Sequence, residues 1–259
     1  MNKLLVTMGW SAFGIFIMDM IGTISSRARV ERALDYEPDY KVKGPLVSVV
    51  IPALKEQDYL GLLLASITNQ TYWPIEVVVV DSSPPEEKRA TGVIAGAYGA
   101  QMIDVPKLGV SIARNKGAEA ASGRVLLFCD ADCILAQDFV ELLVRELGSG
   151  SILAHGMECI YDNFLIAMVF TPWQLFKPTH YTAGRGIAMR REHFWEMEGF
   201  DEAFDPMEGY REDLDLGQRV LERYGSGSVG LVRSALIGTS ARREEVYGFG
   251  KLWSSRGVR

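Results

Sequence analysis

Two aspartates separated by a single residue, Asp130 and Asp132, interrupt an otherwise apolar stretch that reads LLFCDADCIL over residues 126–135. An ionised carboxylate among apolar neighbours costs free energy unless a cation or hydrogen-bond donors compensate it. The spacing allows both carboxylates to converge on one small site at the end of a strand. The pair therefore predicts a site where the protein meets a cationic group.

Cys129 and Cys133 flank the aspartates as C-x3-C, which raises the alternative of a metal site built from cysteine and aspartate. No second pair of cysteines or histidines lies close by, as a structural zinc site requires. The three cysteines of the chain show no disulfide spacing, which indicates reduced thiols in a cytosolic compartment. We interpret Cys129 and Cys133 as core thiols.

The composition is that of a globular protein with one large domain or two small ones. The chain has 259 residues, of which 48% are hydrophobic and 23% are charged. Its formal net charge of −6 gives no overall basic surface. We therefore expect no nucleic acid among its main partners.

An apolar stretch at residues 4–24 contains only one charged residue, Asp19. A helix of about 20 residues is long enough to cross a bilayer. We expect a membrane helix over residues 1–25. A cleaved signal peptide, a helix packed on the domain and a helix lying in the membrane interface are the alternatives.

The charges around this stretch predict its orientation. Lys3 precedes it, whereas Arg27, Arg29 and Arg32 follow it. Because cationic residues favour the cytoplasmic side, a single-pass anchor would leave the rest of the chain in the cytoplasm. We interpret residues 26–45 as a juxtamembrane linker.

Strand-like and helix-like segments alternate beyond this linker. The predicted strands are residues 46–54, 75–83, 101–105 and 124–133, and the predicted helices between them are residues 59–70, 85–99 and 111–121. The alternation predicts an α/β fold with an open, mostly parallel sheet flanked by helices. Ligands of such sheets bind beyond the carboxyl ends of the strands. Because Asp81, Asp130 and Asp132 stand at such ends, we expect them to share one site.

The second half of the chain is less regular. Residues 136–150 read as a helix and residues 152–160 as a strand. The apolar, aromatic segment 163–178 is interrupted by Pro172 and is too short to span a membrane. It is either a core helix or an interfacial helix that brings a membrane-bound enzyme to its acceptor.

Six segments, taken together and in this order, resemble the motifs of family 2 glycosyltransferases with the GT-A fold. They are VSVVIPALKE, VVVVDSS, GVSIARNKGAEAASG, LLFCDADC, GIAMRREHFWEMEGFDEAF and YREDLDLGQRV. The resemblance implies a Rossmann-like GT-A domain, which we expect over residues 46–240. A basic and aromatic tail would follow over residues 241–259.

The resemblance implies roles for residues around the nucleotide of a nucleotide-sugar donor. Pro52, Ala53 and Glu56 would line the nucleotide pocket. Asp81 would contact the nucleobase or the ribose, and Arg114 would lie near the base.

It also implies roles at the reacting groups. Asp130 and Asp132 match the D-x-D pair, which holds the ribose and a Mg²⁺ or Mn²⁺ ion on the diphosphate. Hard cations of this kind prefer carboxylate and phosphate oxygens. Asp213, with Glu212 beside it, matches the base that takes a proton from an acceptor hydroxyl. Read by itself, the segment EDLDL favours an acidic first turn of a helix over a catalytic base; the order of the motifs favours the base.

The chain departs from the family pattern at the nucleotide end. Leu54 and Lys55 stand where the family often has Tyr-Asn, and Ser82 stands where it often has a second acid. These departures leave the nucleobase of the donor open. No Q-x-x-R-W motif follows the second acidic motif, which argues against a processive polymer synthase.

Arg185 stands between Gly184 and Gly186, and glycines allow a backbone to approach a ligand closely. The arginine would grip an acceptor phosphate with its two-pronged guanidinium, or else it is a surface-turn residue. The tail over 241–259 would close over the diphosphate, lie on anionic lipid or be disordered.

Together these observations predict a metal-dependent, inverting glycosyltransferase that moves a single sugar from a nucleotide sugar to a hydroxyl of a lipid-linked or membrane-associated acceptor. The alternatives are a polyprenyl-phosphate glycosyl synthase, a nucleotidyltransferase, and a non-catalytic membrane scaffold with a degenerate glycosyltransferase fold. The sequence names neither the sugar nor the linkage, because a few hydrogen bonds in the pocket decide them.

Overall fold

The computed structural model describes residues 2–106, 109–179, 181–182, 184–204 and 212–242. Within these ranges the side chains of residues 2–18, 172, 173 and 175 are left undescribed. Of the predicted tail, only Ala241 and Arg242 are therefore described.

The described part of the chain forms one eight-stranded sheet with helices on both faces. The strands are β1 (Val42–Ala53), β2 (Tyr72–Asp81), β3 (Gln101–Asp104), β4 (Val125–Phe128), β5 (Cys133–Leu135), β6 (Leu153–Ile160), β7 (Ile187–Arg190) and β8 (Val229–Thr239). The helices are α1 (Asn2–Asp35), α2 (Leu60–Thr68), α3 (Pro85–Ala97), α4 (Val110–Ala120), α5 (Phe139–Ser149), α6 (Phe164–Leu175), α7 (Arg191–Glu196) and α8 (Glu212–Tyr224).

The sheet is mixed, which corrects the prediction of a mostly parallel sheet. Its strand order is β3-β2-β1-β4-β7-β6-β8-β5. The first four strands in this order run parallel, as predicted. β7 starts at the carboxyl end of β4, where Gly186 N–H donates to the carbonyl of Phe128, and so runs back antiparallel to it. β7 is also antiparallel to β6, and β5 to β8, whereas β6 and β8 are parallel.

Both faces of the sheet are covered by apolar packing. One core lies between the strands and α2 and α5, and the other lies between the strands and α4, α7 and α8. α4 approaches the sheet closely, because a side chain at Gly117 would collide with Val50 and Val80. This burial on both faces explains the continuous apolar runs of β1, β2 and β4.

The parallel half determines where a site forms. Ala53, the last residue of β1, pairs with Asp81, the last residue of β2, and Asp81 pairs with Asp104 at the end of β3. Asp130 follows β4 by two residues. The carboxyl ends of the parallel strands therefore lie along one edge of the sheet, as the sequence predicts.

Helix α1 continues to Asp35, and β1 begins at Val42, so most of the predicted linker over 26–45 has regular structure. Val30 and Ala33 are fully buried, and Arg29 pairs with Asp138 at 2.5 Å. The C-terminal part of α1 is thus docked on the domain. Among the described residues, no helix combines the length and apolarity that crossing a membrane requires.

Candidate active site

Asp130 and Asp132 lie in the turn that follows β4. The Cys129 N–H extends the ladder to the carbonyl of Val50 at 3.1 Å, and the Cys133 N–H closes the turn on the carbonyl of Asp130 at 3.2 Å. The turn directs both carboxylates to the edge where the parallel strands end, with only 20% and 13% of their side chains exposed. The expected convergence on one partly buried site is present.

Arg114, on α4, joins this turn to α8. Its guanidinium donates to Asp130 Oδ1 at 2.8 Å and to Glu212 Oε1 at 2.5 Å, and only 3% of the side chain is exposed. It lies over the ring of Phe200, 5.2 Å from the ring centroid. Arg114 therefore connects the D-x-D turn with the second acidic motif, whose Glu212 lies 98 residues after Arg114 in the sequence. Its proposed proximity to a nucleobase stays a prediction.

The rings beneath Arg114 form a compact support. Phe128 and Phe200 meet edge to face with their centroids 4.9 Å apart, and Phe194 lies 5.0 Å from Phe128. Such pairs add about 0.5–1.5 kcal/mol each beyond the area they bury. The position of the guanidinium is thus fixed by packing as well as by its ion pairs.

Arg185 is largely enclosed by the site and does not stand in an exposed surface turn. Its side chain is 11% exposed, its Nε lies 3.6 Å from Asp130 Oδ2, and its guanidinium donates to Glu158 Oε2 at 3.1 Å. Lys177, at 1% exposure, pairs with the other oxygen of Glu158 at 2.8 Å. Since its guanidinium already pairs with two carboxylates, a grip on an acceptor phosphate would require those contacts to change.

These contacts make one continuous series of alternating charges along the site. In order, its members are Lys177, Glu158, Arg185, Asp130, Arg114 and Glu212. Each carboxylate meets at least one cation, which explains how so many ionisable groups are tolerated with little exposure. The sequence did not predict Glu158 or Lys177 as members of the site. The signal for Glu158 was its position as the one acid in the apolar run ILAHGMECI.

Asp213 lies in the first turn of α8 with its carboxylate held by two backbone N–H groups. Gly184 N–H donates to its Oδ2 at 2.6 Å, and Leu214 N–H donates to its Oδ1 at 2.8 Å. The Thr182 hydroxyl donates to the main-chain carbonyl of Asp213. Gly184 thereby orients the predicted base, a role different from the acceptor contact expected of it. A side chain at 184 would also collide with the guanidinium of Arg114.

Burial raises the pKa of the neighbouring Glu212 carboxyl, and the Arg114 guanidinium opposes part of that effect. The 2.5 Å contact nevertheless makes Glu212 the ion-pair partner of Arg114. The arrangement separates the two acids of this motif into a structural partner and a candidate base.

Pro52, Ala53 and Asp81, which the sequence resemblance assigns to the nucleotide, lie at the ends of β1 and β2. Asp81 has no exposed surface, and its Oδ1 accepts the Ser83 N–H at 2.7 Å. Its Oδ2 is buried without a hydrogen-bond partner among the described residues. A buried acceptor of this kind is normally satisfied by a hydrogen-bond donor.

Glu56 and Asp132 are bridged by Arg242, the last described residue. Its guanidinium donates to Glu56 Oε1 at 2.6 Å and to Asp132 Oδ2 at 3.1 Å, and it lies 4.5 Å from the centroid of the Tyr59 ring. Burial raises the pKa of Glu56, although Arg242 counteracts it. The predicted tail thus begins directly at the D-x-D pair.

Residues 48–197 match the family described as Glycosyl transferase family 2. This stretch is more than half of the chain. The chain belongs to glycosyl transferase family 2.

Two curated relatives show the extent of the likeness. The family 2 chain is 33% identical over 106 residues to the glycosyltransferase GlyA of Streptococcus pneumoniae, which covers 39% of this chain and 15% of that protein. It is 35% identical over 126 residues to the glycosyltransferase AglE of Haloferax volcanii, which covers 46% and 41% respectively. The chain thus spans less than half the length of either relative.

Solved structures share its fold. The mannosyltransferase PcManGT from Pyrobaculum calidifontis, in complex with GDP-Man and Mn²⁺, superposes with a TM-score of 0.59 at 20% identity, covering 88% of this chain and 68% of that one. Residues 1–349 of S. aureus TarS in complex with UDP-GlcNAc give a TM-score of 0.60 at 16% identity, with 75% and 58% covered. The GT-A fold expected from the motifs is confirmed.

The carboxylates of the site fit a divalent metal ion that also binds phosphate. Within the described ranges, no three His, Cys, Asp or Glu side chains are grouped to hold a metal by themselves. Mg²⁺ and similar hard ions, however, need only one or two carboxylates when phosphate oxygens complete the shell. Asp130 and Asp132 supply such carboxylates, and the Oε2 of Glu56 is buried nearby without a hydrogen-bond partner among the described residues.

The cysteines do not belong to this set of candidate metal ligands. Cys129 and Cys133 are buried and unbridged, and burial raises the pKa of both thiols. A hard ion bound to phosphate prefers oxygen ligands, whereas soft thiolates suit other metals. The interpretation of both residues as core thiols is confirmed.

Proposed function

We propose that this chain is a metal-dependent, inverting glycosyltransferase that moves a single sugar from a nucleotide-sugar donor to a hydroxyl of a lipid-linked acceptor. The observation that carries the proposal is the buried connection from the D-x-D turn through Arg114 to the motif containing Asp213. It brings the groups expected at the donor diphosphate and at the acceptor hydroxyl to one edge of the sheet.

On the donor side, Asp132 and Asp130 would hold a Mn²⁺ or Mg²⁺ ion. When bound, this ion neutralises charge that develops on the leaving diphosphate. Pro52, Ala53 and Asp81 would receive the nucleoside, with the unpartnered Oδ2 of Asp81 accepting a hydrogen bond from it. PcManGT was solved with GDP-Man and Mn²⁺, and TarS with UDP-GlcNAc, which supports a nucleotide-sugar donor and a divalent metal ion for this chain.

On the acceptor side, Asp213 would take the proton of the attacking hydroxyl. The N–H groups of Gly184 and Leu214 orient its carboxylate before the acceptor arrives. A base held in one position shortens the search for a reactive geometry. Attack on the face opposite the diphosphate would invert the anomeric configuration.

A hydroxyl acceptor is favoured over a phosphate acceptor by the pairing of the cations in the site. Arg185 and Lys177 both contact Glu158, and Arg185 also faces Asp130. A phosphate would therefore compete with carboxylates that already pair with these cations. A polyprenyl-phosphate glycosyl synthase also has little need of a positioned base such as Asp213.

The lipid-linked acceptor is supported by exposed apolar side chains on α1 and α6. Ile21 and Ile24 on α1 are 53% and 51% exposed, and Leu165 and Val169 on α6 are 77% and 60% exposed. The two helices are joined by a hydrogen bond between the hydroxyls of Thr23 and Thr171. We propose that this apolar surface rests on the membrane.

The membrane anchor over residues 1–25 and the cytoplasmic position of the catalytic domain remain part of the proposal. Arg27, Arg29 and Arg32 support them, since cations after an apolar segment favour the cytoplasmic side.

The activity is tested with the purified chain, a panel of nucleotide sugars and Mn²⁺, by following release of the nucleoside diphosphate and the anomeric configuration of the product. Asp213→Asn is expected to lower transfer at least about a hundredfold, since general-base catalysis contributes about 10²–10⁴-fold, while donor binding stays near wild type. Asp215→Asn is the matched control, because Asp215 lies on the same helix and pairs with Arg219. Retained transfer by Asp213→Asn, or a retained configuration, would overturn the mechanism.

Membrane contact is tested by sedimentation with vesicles of phosphatidylcholine and phosphatidylglycerol. Leu165→Asp is expected to weaken binding, because it places a charge on the apolar surface of α6. Val93→Asp is the control, since Val93 is similarly exposed, at 71%, but lies on α3. Equal binding by both variants and wild type would remove the support for a membrane role of α6.

A further inference from the structure

We propose that Arg242 is an exchangeable counter-ion: its guanidinium holds Glu56 and the metal-binding Asp132 together in the metal-free enzyme and moves to the diphosphate when metal and nucleotide bind together. This inference rests on the metal-dependent activity proposed above. It assigns a ligand-binding role to a residue outside all the family motifs.

The contacts place Arg242 where a metal ion would be bound. Its guanidinium reaches Glu56 Oε1 at 2.6 Å and Asp132 Oδ2 at 3.1 Å. These carboxylates come from a loop after β1 and from the turn after β4, 186 and 110 residues away in sequence. A cation shared by two acids from separate elements does in the free protein what a bound divalent ion would do in the loaded one.

The surroundings of Arg242 suit a side chain that moves while its backbone stays. Asp162 anchors the preceding residues, because its carboxylate accepts the Ser240 hydroxyl at 2.5 Å and the Ala241 N–H at 2.7 Å. Those residues follow directly on β8, which ends at Thr239. The Arg242 side chain is 36% exposed, and its guanidinium lies over the Tyr59 ring. It can therefore leave the carboxylates without disturbing the sheet.

Electrostatics gives the exchange its direction. A divalent ion alone must compete with Arg242 for an oxygen of Asp132, and its charge repels the guanidinium. A diphosphate that arrives with the ion supplies oxygens that a guanidinium binds through two parallel hydrogen bonds. Metal and nucleotide should therefore bind together far better than the metal binds alone.

This reasoning predicts effects of opposite sign for a single substitution. Arg242→Gln removes the competitor of the metal, so Mn²⁺ alone should bind about tenfold more tightly, whereas a nucleoside diphosphate in the presence of Mn²⁺ should bind about tenfold more weakly because a charge-assisted hydrogen bond is lost. Arg242→Lys keeps the charge without the fork. It should leave binding of Mn²⁺ alone near wild type and weaken diphosphate binding.

The test measures free Mn²⁺ by electron paramagnetic resonance in titrations of the full chain, with and without GDP or UDP, and follows nucleotide binding by calorimetry. The control is Arg29→Gln, because Arg29 forms a similar Arg–Asp pair, 38% exposed, with Asp138 away from the site. Its titrations should match wild type. Thermal unfolding of each variant separates a folding defect from a binding effect.

Opposite shifts for Mn²⁺ alone and for the diphosphate support the exchange. If Arg242→Gln binds both as wild type does, or weakens both, the exchange is wrong, although the proposed activity stands as long as wild type binds a diphosphate with Mn²⁺ and Asp132→Asn does not. If wild type binds no nucleoside diphosphate with Mn²⁺ when the titrations are extended to ADP, CDP and dTDP, the exchange and the metal-dependent activity fail together.

Discussion

Replacing Arg114 by leucine tests whether the buried ion pairs of the site stabilise the fold. The substitution preserves apolar volume over Phe200 but removes the cation that meets Asp130 at 2.8 Å and Glu212 at 2.5 Å. Breaking a buried pair by removing one partner costs about 3–5 kcal/mol. Asp130 keeps the contact with Arg185 at 3.6 Å, so most of the cost falls on Glu212.

A destabilisation of about 4 kcal/mol should lower the unfolding temperature by about 10 °C, given the 2–4 °C per kcal/mol typical of chains of this size. The assay is thermal or urea unfolding at pH 7.5. Arg145→Leu is the control, because Arg145 pairs with Glu141 at the same 2.5 Å but is 70% exposed. A surface pair of this kind contributes about 0–1 kcal/mol.

The pH dependence makes the prediction sharper. Burial already raises the pKa of Glu212, and removing Arg114 removes an effect that lowers it. The pKa of Glu212 in the folded variant should therefore rise further above its value in the unfolded chain. Below the pKa of Glu212 in the unfolded chain, this carboxyl is protonated in both the folded and the unfolded state, and the loss of stability disappears. The loss grows as pH rises from that value through the pKa of Glu212 in the folded variant.

The loss of stability in Arg114→Leu should consequently be smaller at pH 5 than at pH 7.5. A variant as stable as wild type at pH 7.5 would refute the energetic role assigned to the pair. A loss that is larger at pH 5 would refute the assignment of the cost to Glu212.

Two further predictions concern a buried histidine and a glycine of the site. His155 donates its Nε2–H to the carbonyl of Thr179 at 2.7 Å, and burial lowers its pKa to about 4. Because the folded protein holds His155 neutral, this residue contributes stability above pH 6.5 that is lost as pH falls toward 4, by up to about 3 kcal/mol. The unfolding temperature of His155→Gln should therefore fall less steeply with acid than that of wild type. Parallel curves of unfolding temperature against pH for the two proteins would contradict this. Gly184→Ala would push against Arg114 and move the N–H that orients Asp213, so the transfer rate should fall about tenfold to a hundredfold. Gly96→Ala on α3, where the added carbon meets no atom within 4 Å, is its control, and equal rates for both variants would show that the position of the N–H is unimportant.

The parallel half of the fold and the family membership follow from the order of residues along the chain. The predicted strands 46–54 and 75–83 end within two residues of the last residues of β1 and β2. These strands are buried on both faces, and a continuous β-branched run is typical of strands in that position. Asp81 ends β2, and Asp130 and Asp132 follow β4, so their placement along one edge of the sheet follows from the parallel arrangement alone.

The direction of the later strands and the partners of the charged residues depend instead on the assembled fold. An apolar run such as β7 reads the same in a parallel and an antiparallel pair, and its direction depends on where it starts, beside the carboxyl end of β4. Arg114 meets Glu212 across 98 residues, and Arg242 meets Glu56 across 186. An ion pair leaves no local pattern in a sequence, because its energy depends on distance and burial, which only the tertiary structure defines.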